Sequence, residues 1–392
     1  MPRIILMSGK GGVGKTTVSA ATGLASAQKG HRTIVVSFDL AHSLFDCFDL
    51  PRGLFDHNNG EPVRAAENLD VQEIDVQVEI EKHWGDIYRY LAMLMTSSGL
   101  TDVIAEEVAV IPGMEDVIAL MYVNKYVSEG KYDVIVLDCP PTSESLRFVS
   151  ITSTIEWYVR KRFNVDRNIV RFAGPIAKRF TDYKLPDEKY FSAMMQLFER
   201  ITGVDKLLVD PQTTSVRLVT QAEKMVIRET QRAFMYFNMY GVAVDRIVIN
   251  RLLPDTPDGY YSRWVKTQTA YAQEVREYFD PVPTVSLPLF DDEVIGVGNL
   301  QRVADALFSN GEDPAQFFHQ GAPYTFTKEG EDYLLTINLP FVDKRDLDIS
   351  RNQEDLTIRI GTFKRHVPLP RSVLSKDVQS AKMIDGVLHI RF

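Results

Sequence analysis

Nine residues near the amino end, Gly9-Lys10-Gly11-Gly12-Val13-Gly14-Lys15-Thr16-Thr17, have the types and spacing to hold a polyphosphate. Successive glycines let backbone N–H groups turn inward around an anion, and a helix starting behind the loop adds positive potential. In such a loop Lys15 reaches the β- and γ-phosphates, and the Thr16 hydroxyl holds Mg2+. Gly9, Gly11 and Gly14 also satisfy the G-x-G-x-x-G pattern of dinucleotide sites, which wants an acid about 20 positions on. Asp39 lies thirty positions from Gly9, and a dinucleotide site leaves Lys15-Thr16 without a task.

The loop needs a strand in front and a helix behind. Ile4-Ile5-Leu6-Met7 supplies the strand, and the small-residue stretch Val18 to Gln28 supplies the helix. A second strand, His31 to Phe38, has the β-branched centre Thr33-Ile34-Val35-Val36. It delivers Asp39 at its carboxyl end, where ligands bind in open parallel sheets. Asp133 to Asp138 is another buried parallel strand, and Asp138 at its end is placed to hold Mg2+ through a water.

A chain of 392 residues has room for two or more domains. Its 45% apolar and 25% charged content is that of a soluble globular protein. The net charge of −9 gives no general attraction to nucleic acid, so no nucleic-acid partner is expected. No apolar run reaches the roughly eighteen residues of a membrane-spanning helix. The amino end enters the first strand directly, so neither a signal nor a transit peptide is expected. Cys47 and Cys139 are the two cysteines, and neither sits in a C-x-x-C pair. That excludes a disulfide scaffold and a cysteine zinc site, and the expected location is cytoplasmic.

Lys10 makes the loop G-K-G-G-V-G-K-T-T, which resembles the deviant Walker A sequence of the signal-recognition, partition and arsenical-pump class of ATPases. The resemblance implies a face-to-face homodimer, with Lys10 crossing to the partner's nucleotide. Asp39-Leu40-Ala41-His42-Ser43-Leu44-Phe45-Asp46 resembles D-P-A-H-S-L-x-D, the first switch of the tail-anchored-protein-targeting and arsenical-pump ATPases, with Leu40 in place of proline. By that resemblance Asp39 orients or deprotonates the attacking water, and it is also a candidate for Mg2+ through a water. Pro112-Gly113-Met114-Glu115-Asp116 resembles the family's P-G-x-D/E-E, and also reads as a proline-started helix with an acidic first turn. Cys139 to Arg147 resembles D-T-A-P-T-G-H-T-L-R after its aspartate. Pro141, Thr142, Leu146 and Arg147 match; Cys139, Pro140, Ser143 and Glu144 depart.

Ser215 to Thr220 and Asp245 to Asn250 are further strands, with a helix from Ala222 to Tyr240 between them. Glu223, Glu229-Thr230 and Arg232 match the family pattern of that helix. Ile249 to Pro254 is similar to V-N-Q/R-L-x-P, whose asparagine reads the adenine edge. An amide offers the donor and acceptor this needs, while a turn-forming strand terminator is the competing account of Asn250. A helix from Tyr260 to Phe279 precedes a last strand, Thr284 to Leu287. Pro288-Leu289 through Gly296 then matches P-L-x-x-x-E-V-x-G, a loop that in the family closes over the base.

Glu79 to Met95 has helical spacing, and a helix reaches from Pro112 to about Val127. From Ile151 to Val209 the chain shows no parallel strand, and large apolar residues gather at Trp157-Tyr158, Phe191, Met194-Met195 and Leu197-Phe198. The resemblance implies a dimer cap and a groove for hydrophobic client helices here, whereas the plain reading is core. Arg160-Lys161-Arg162 with Arg167 and Arg171 is either a solvated face or an attraction for acidic segments or lipid, which admits transient membrane proximity.

Asn310 to Ala322 reads as a linker. Beyond it Tyr333, Leu335, Ile337 and Leu339 alternate, as do Leu356, Ile358 and Ile360, and again Leu388, Ile390 and Phe392. Asp385-Gly386-Val387-Leu388 resembles the G-V-L signature of the α-crystallin and small heat-shock family, and Leu339-Pro340-Phe341-Val342 its L-P-G-V, with Phe341 replacing glycine.

The expected fold is α/β: a doubly wound, mostly parallel-sheet P-loop NTPase over 1–309 with a helical insertion within about 79–127 and 151–209. A linker at 310–322 leads to an all-β sandwich over 323–392. The expected function is Mg2+-dependent ATP hydrolysis that switches a homodimer between open and closed forms around hydrophobic protein segments. The alternatives are a partition- or scaffold-type ATPase on a protein or membrane surface, and an arsenite-pump subunit. The last would want clustered thiolates. The cysteine pairs that bridge the eukaryotic targeting dimer are missing, so no zinc is expected.

Overall fold

The computed structural model describes residues 1–39, 43–51, 58–75, 78–79, 114–158, 188–254, 261–309, 311–352, 355–374 and 376–392. In chain order the elements of the larger part are β1 (Arg3–Ser8), α1 (Lys15–Gln28), β2 (Thr33–Ser37), α2 (Leu44–Cys47), β3 (Val63–Ala66) and β4 (Leu69–Glu73). Then come α3 (Met114–Glu129), β5 (Val134–Asp138), α4 (Thr142–Tyr158), α5 (Glu188–Ile201), α6 (Val204–Val209) and β6 (Thr214–Gln221). α7 (Lys224–Tyr240), β7 (Val244–Leu252), α8 (Ser262–Phe279), β8 (Thr284–Pro288) and α9 (Gly296–Leu307) complete it.

The strands form one sheet in the order β3-β4-β2-β5-β1-β6-β7-β8. Every pairing is parallel except β3 with β4. Parallel strands covered by helices on both faces must be apolar throughout. Ile4 and Leu6 of β1 go to one core and Ile5 and Met7 to the other, all fully buried. Register sets Ser37, Asp138 and Met7 side by side at the carboxyl ends of β2, β5 and β1. α1 crosses beneath them so closely that a Cβ at Gly23 would strike the Val35 side chain.

Among the elements the sequence reading did not name are β3 and α9. The edge strand β3 is four residues long and mostly half-exposed, so it carries no apolar run to find. α9 packs Leu300, Val303, Ala304 and Leu307 into the α1 core, and those residues follow directly on the motif ending at Gly296. The expected helix over Glu79 to Met95 lies almost wholly outside the described residues. So do Arg160-Lys161-Arg162, Arg167 and Arg171. In α5, Leu197 and Phe198 are buried core, and Met194 and Met195 are half-buried against it.

The carboxyl-terminal strands are β9 (Tyr324–Glu329), β10 (Asp332–Asn338), β11 (Leu347–Asn352), β12 (Asp355–Ile360), β13 (Phe363–Pro368), β14 (Ser380–Ile384) and β15 (Val387–Arg391). They make two antiparallel sheets, β14-β15-β10-β9 and β11-β12-β13. Leu335, Ile337, Leu388 and Ile390 of the first share a core cluster with Leu356, Ile358 and Ile360 of the second. That is the alternation of a sandwich with one buried face per sheet.

The stretch with linker composition is bound down. Arg3 donates to the Ala315 carbonyl at 3.1 Å, Arg217 to that of Pro314 at 2.7 Å, and Arg246 to Glu312 at 2.9 Å. Arg3 stacks on Phe317 and Arg246 on Phe318, 3.6 and 3.9 Å from the ring centroids. Buried Asp245 pairs with both Arg3 and Arg217, at 3.0 and 3.3 Å. Burial still pulls the Arg3 guanidinium down to about 9.

Candidate active site: a phosphate loop facing two strand-end acids

The loop from Gly9 to Gly14 lies where β1 gives way to α1. Gly9, Gly12 and Gly14 take positive φ of 156°, 81° and 93°. A Cβ at Gly9 would strike the Val219 carbonyl, and one at Gly14 the Asn250 amide. A side chain at either position would force these neighbours to shift. Gly14 caps α1, and the helix opens with Lys15, Thr16 and Thr17, so its unpaired N–H groups point at the loop. Lys15 is buried, and its ammonium donates to the Lys10 carbonyl at 3.4 Å. The Lys10 ammonium has no partner among the described residues.

Asp138 is fully buried at the end of β5. The Ser19 hydroxyl, one turn into α1, donates to its Oδ1 at 2.9 Å, and the Ser37 hydroxyl donates to its Oδ2 at 3.3 Å. Burial pushes the Asp138 carboxyl up to about 6, against hydrogen bonds from Thr16 and Ser19 and the nearby Lys15 charge; Asp39 adds to the upward push. Asp39 follows β2, and its N–H donates to Ser37 Oγ at 3.4 Å. Ser43 donates to Thr16 Oγ1 at 3.5 Å.

The donor set at this site would suit Mg2+. Thr16, Asp138 and Asp39 are hard oxygen donors. A buried carboxylate short of positive charge is the residue a dication would stabilise.

The sequence-predicted base residues also converge. A cavity of about 440 Å3 is lined by Thr17, Asn250, Pro288 and Leu289, together with Arg251 and Cys47. That is within the usual size of a small-molecule site. Asn250 is engaged at both ends: Nδ2 donates to the Val13 carbonyl at 2.8 Å, and Oδ1 accepts the Arg251 N–H at 2.9 Å. In this structure its amide holds the phosphate loop.

Two further motif segments meet here. Arg147 of α4 donates to Asp116 of α3 at 2.7 Å and pairs with Glu115. Asp116 is fully buried, and burial pushes its carboxyl up to about 6 despite Arg147.

Sequence reasoning missed Ser19, Ser37 and Arg251. Ser19 had a readable signal, since it follows Lys15 by one helical turn and shares its face. Ser37 had none of its own, whereas Arg251 stands at the Q/R position of the segment matching V-N-Q/R-L-x-P. Both cysteines are free, Cys139 fully buried and Cys47 partly so. Burial pushes the Cys47 thiol up to about 12 and raises that of Cys139 well above its usual value, so neither is a ready thiolate.

A parallel sheet with a lysine-threonine phosphate loop after β1 and acids ending β2 and β5 defines a P-loop ATPase. The chain belongs to the anion-transporting ATPase family, whose model matches residues 2–309; residues 330–392 match the model of an HSP20-like domain found in ArsA. It is 43% identical over 386 residues to a protein of Aquifex aeolicus provisionally named arsenical pump-driving ATPase 1, covering 97% of each chain. A provisionally named arsenical pump-driving ATPase of Chlorobaculum tepidum is 35% identical, over 100% of this chain and 96% of its own. ATPase ASNA1 homolog 1 of Paramecium tetraurelia is 28% identical over 77% of this chain and 91% of its own. No helix among the described residues is long and apolar enough to cross a membrane.

Proposed function

We propose that ATP hydrolysis by this chain switches a homodimer between open and closed states, and that the switching dimer binds hydrophobic protein segments. The observation that supports it most directly is Lys10. Its backbone carbonyl holds Lys15, while its own ammonium, half-buried in the loop, has no partner among the described residues. A charge placed that way is suited to a phosphate from a second subunit.

In this reading the N–H groups of Gly11 to Thr16 cradle the phosphates, Lys15 binds the β- and γ-oxygens in cis, and Lys10 does so in trans. Thr16, Asp138 and Asp39 would hold Mg2+, which would supply positive charge against the phosphate oxygens. Asp39 orients a water for in-line attack on the γ-phosphorus. As the water oxygen bonds to phosphorus, its proton passes to Asp39, the bond to the β–γ bridging oxygen breaks and that bond's electron pair leaves on ADP. Asn250, Pro288 and Leu289 form the base side of the site. Movement of the chain after Asp138 passes into α4, and through Arg147 into α3.

Lys15→Ala should abolish hydrolysis and weaken ATP binding; Lys10→Ala should abolish hydrolysis and leave binding in place. Sedimentation should show a dimer that tightens with Mg2+ and ATP in an Asp39→Asn variant. Normal turnover by Lys10→Ala at every protein concentration would overturn the trans role. For the client, photo-crosslinking of the Asp39→Asn dimer to an apolar helix peptide is the test, and labelling no greater than with a scrambled polar peptide would count against it.

The names of two relatives point instead to a metalloid pump. Burial raises the thiols of Cys47 and Cys139, which opposes a thiolate metalloid site. Trivalent arsenic or antimony should therefore leave the ATPase rate within about two-fold, and strong stimulation would favour the pump reading.

A further inference from the structure

Near the end of β7, where its pairing with β8 shifts register between Ile249 and Leu252, one residue leaves strand geometry. Arg251 has φ +60°, in the left-handed region that side chains larger than glycine or asparagine rarely occupy. Such conformations persist where the surroundings hold them. Here the turn aims the side chain back at the phosphate loop, and Arg251 Nη1 donates to the Gly12 carbonyl at 3.1 Å. Its neighbour treats the next carbonyl alike, Asn250 Nδ2 donating to Val13 O at 2.8 Å. The Arg251 N–H closes the set on Asn250 Oδ1 at 2.9 Å. Two consecutive carbonyls of the loop are therefore held from one corner of β7.

In a planar trans peptide the C=O and the following N–H point in opposite directions. Holding the Val13 carbonyl outward turns the Gly14 N–H group toward the hollow of the loop, while the Val13 N–H donates to the Lys10 carbonyl at 3.5 Å. A charged donor such as guanidinium holds a carbonyl more firmly than a neutral one. Arg251 also lines the 440 Å3 cavity beside Asn250, Pro288 and Leu289, so it touches the base side and the phosphate side at once.

We propose that Arg251 is a positioning residue that pre-shapes the phosphate loop from the base side, setting affinity for the polyphosphate rather than the rate of its cleavage. The inference rests on the reading of this loop as the ATP site. Preorganised loop donors bind the phosphates without first having to be ordered, so loss of the tie falls on affinity.

The test compares wild type, Arg251→Met and Arg251→Lys for Mg2+-dependent binding of ATP and of inorganic tripolyphosphate by calorimetry, alongside ATPase kinetics. Arg251→Met, which keeps length and removes the donors, should weaken both ligands alike, by on the order of ten-fold. KM should rise in step while kcat stays within about two-fold, and Arg251→Lys should recover most of the loss. Unchanged affinities would overturn the proposal. So would weakening of ATP alone with tripolyphosphate unaffected, since the side chain would then serve only the base. If the wild-type chain bound neither ligand, the nucleotide reading beneath the proposal would itself fail, and the variants would not be needed to show it.

Discussion

Ser37 donates its hydroxyl proton to Asp138 Oδ2 at 3.3 Å, and the Asp39 N–H donates to that same hydroxyl at 3.4 Å. One small buried side chain thus joins the acid ending β5 to the backbone of the acid following β2. Both acids belong to loops expected to respond to the γ-phosphate, and Ser37 couples their placement.

Ser37→Ala should therefore act on turnover more than on folding. Outer-shell partners of metal-holding groups typically contribute 10- to 100-fold, and a fall in kcat of about ten-fold with a smaller change in KM is expected. Steady-state kinetics beside a thermal melt will decide it. A loss of stability above roughly 2 kcal/mol with kcat intact would assign Ser37 to packing alone.

Asp116 makes stability depend on pH in a stated direction. Its carboxyl, fully buried, ionises near 6 in the fold and near the ordinary 3.8 when unfolded. The raised value means a favourable contribution that is complete below about pH 4 and is lost as pH climbs toward 6. Two units amount to at most about 3 kcal/mol. Asp116→Asn should flatten that part of the curve in urea titrations between pH 4 and 7. An unchanged slope would show that Asp116 does not titrate there.

Asp245 neutralises Arg3 and Arg217 together and in doing so fixes the stretch leading to the β-sandwich. Asp245→Asn strands two buried cations, a loss of roughly 3–5 kcal/mol. Equilibrium unfolding measures it directly. Limited proteolysis should cut near Pro314 in the variant and spare the wild type.

Tyr236 of α7 meets Phe363 of β13 edge to face, ring centroids 4.2 Å apart, and the Tyr240 hydroxyl donates to the Lys364 carbonyl at 3.3 Å. Phe234 and Phe279 pack on Phe341 nearby. Phe363→Ala should weaken this seat by about 2–3 kcal/mol and leave ATP turnover near wild type. Calorimetry should then show a separate, earlier transition for the sandwich. A single unshifted transition would argue that the aromatic contact carries little of the attachment.

The sequence by itself determined the phosphate loop, the strands around it, the acids at their ends and the alternation of the sandwich. Each of these is encoded within a few neighbouring residues. Glycine spacing specifies a backbone path, an unbroken apolar run specifies a strand buried on both faces, and period-two alternation specifies one buried on a single face. Only the tertiary structure decided that Asn250 grips the Val13 carbonyl, that Ser37 stands between Asp39 and Asp138, and that Arg147 finds Asp116. It also turned Glu312 to Ala315, within a stretch composed like a linker, into a segment clasped by Arg3, Arg217 and Arg246. These partners come from distant parts of the chain. Nothing local distinguishes one buried arginine or serine from another until strand register and helix docking set them within hydrogen-bonding distance.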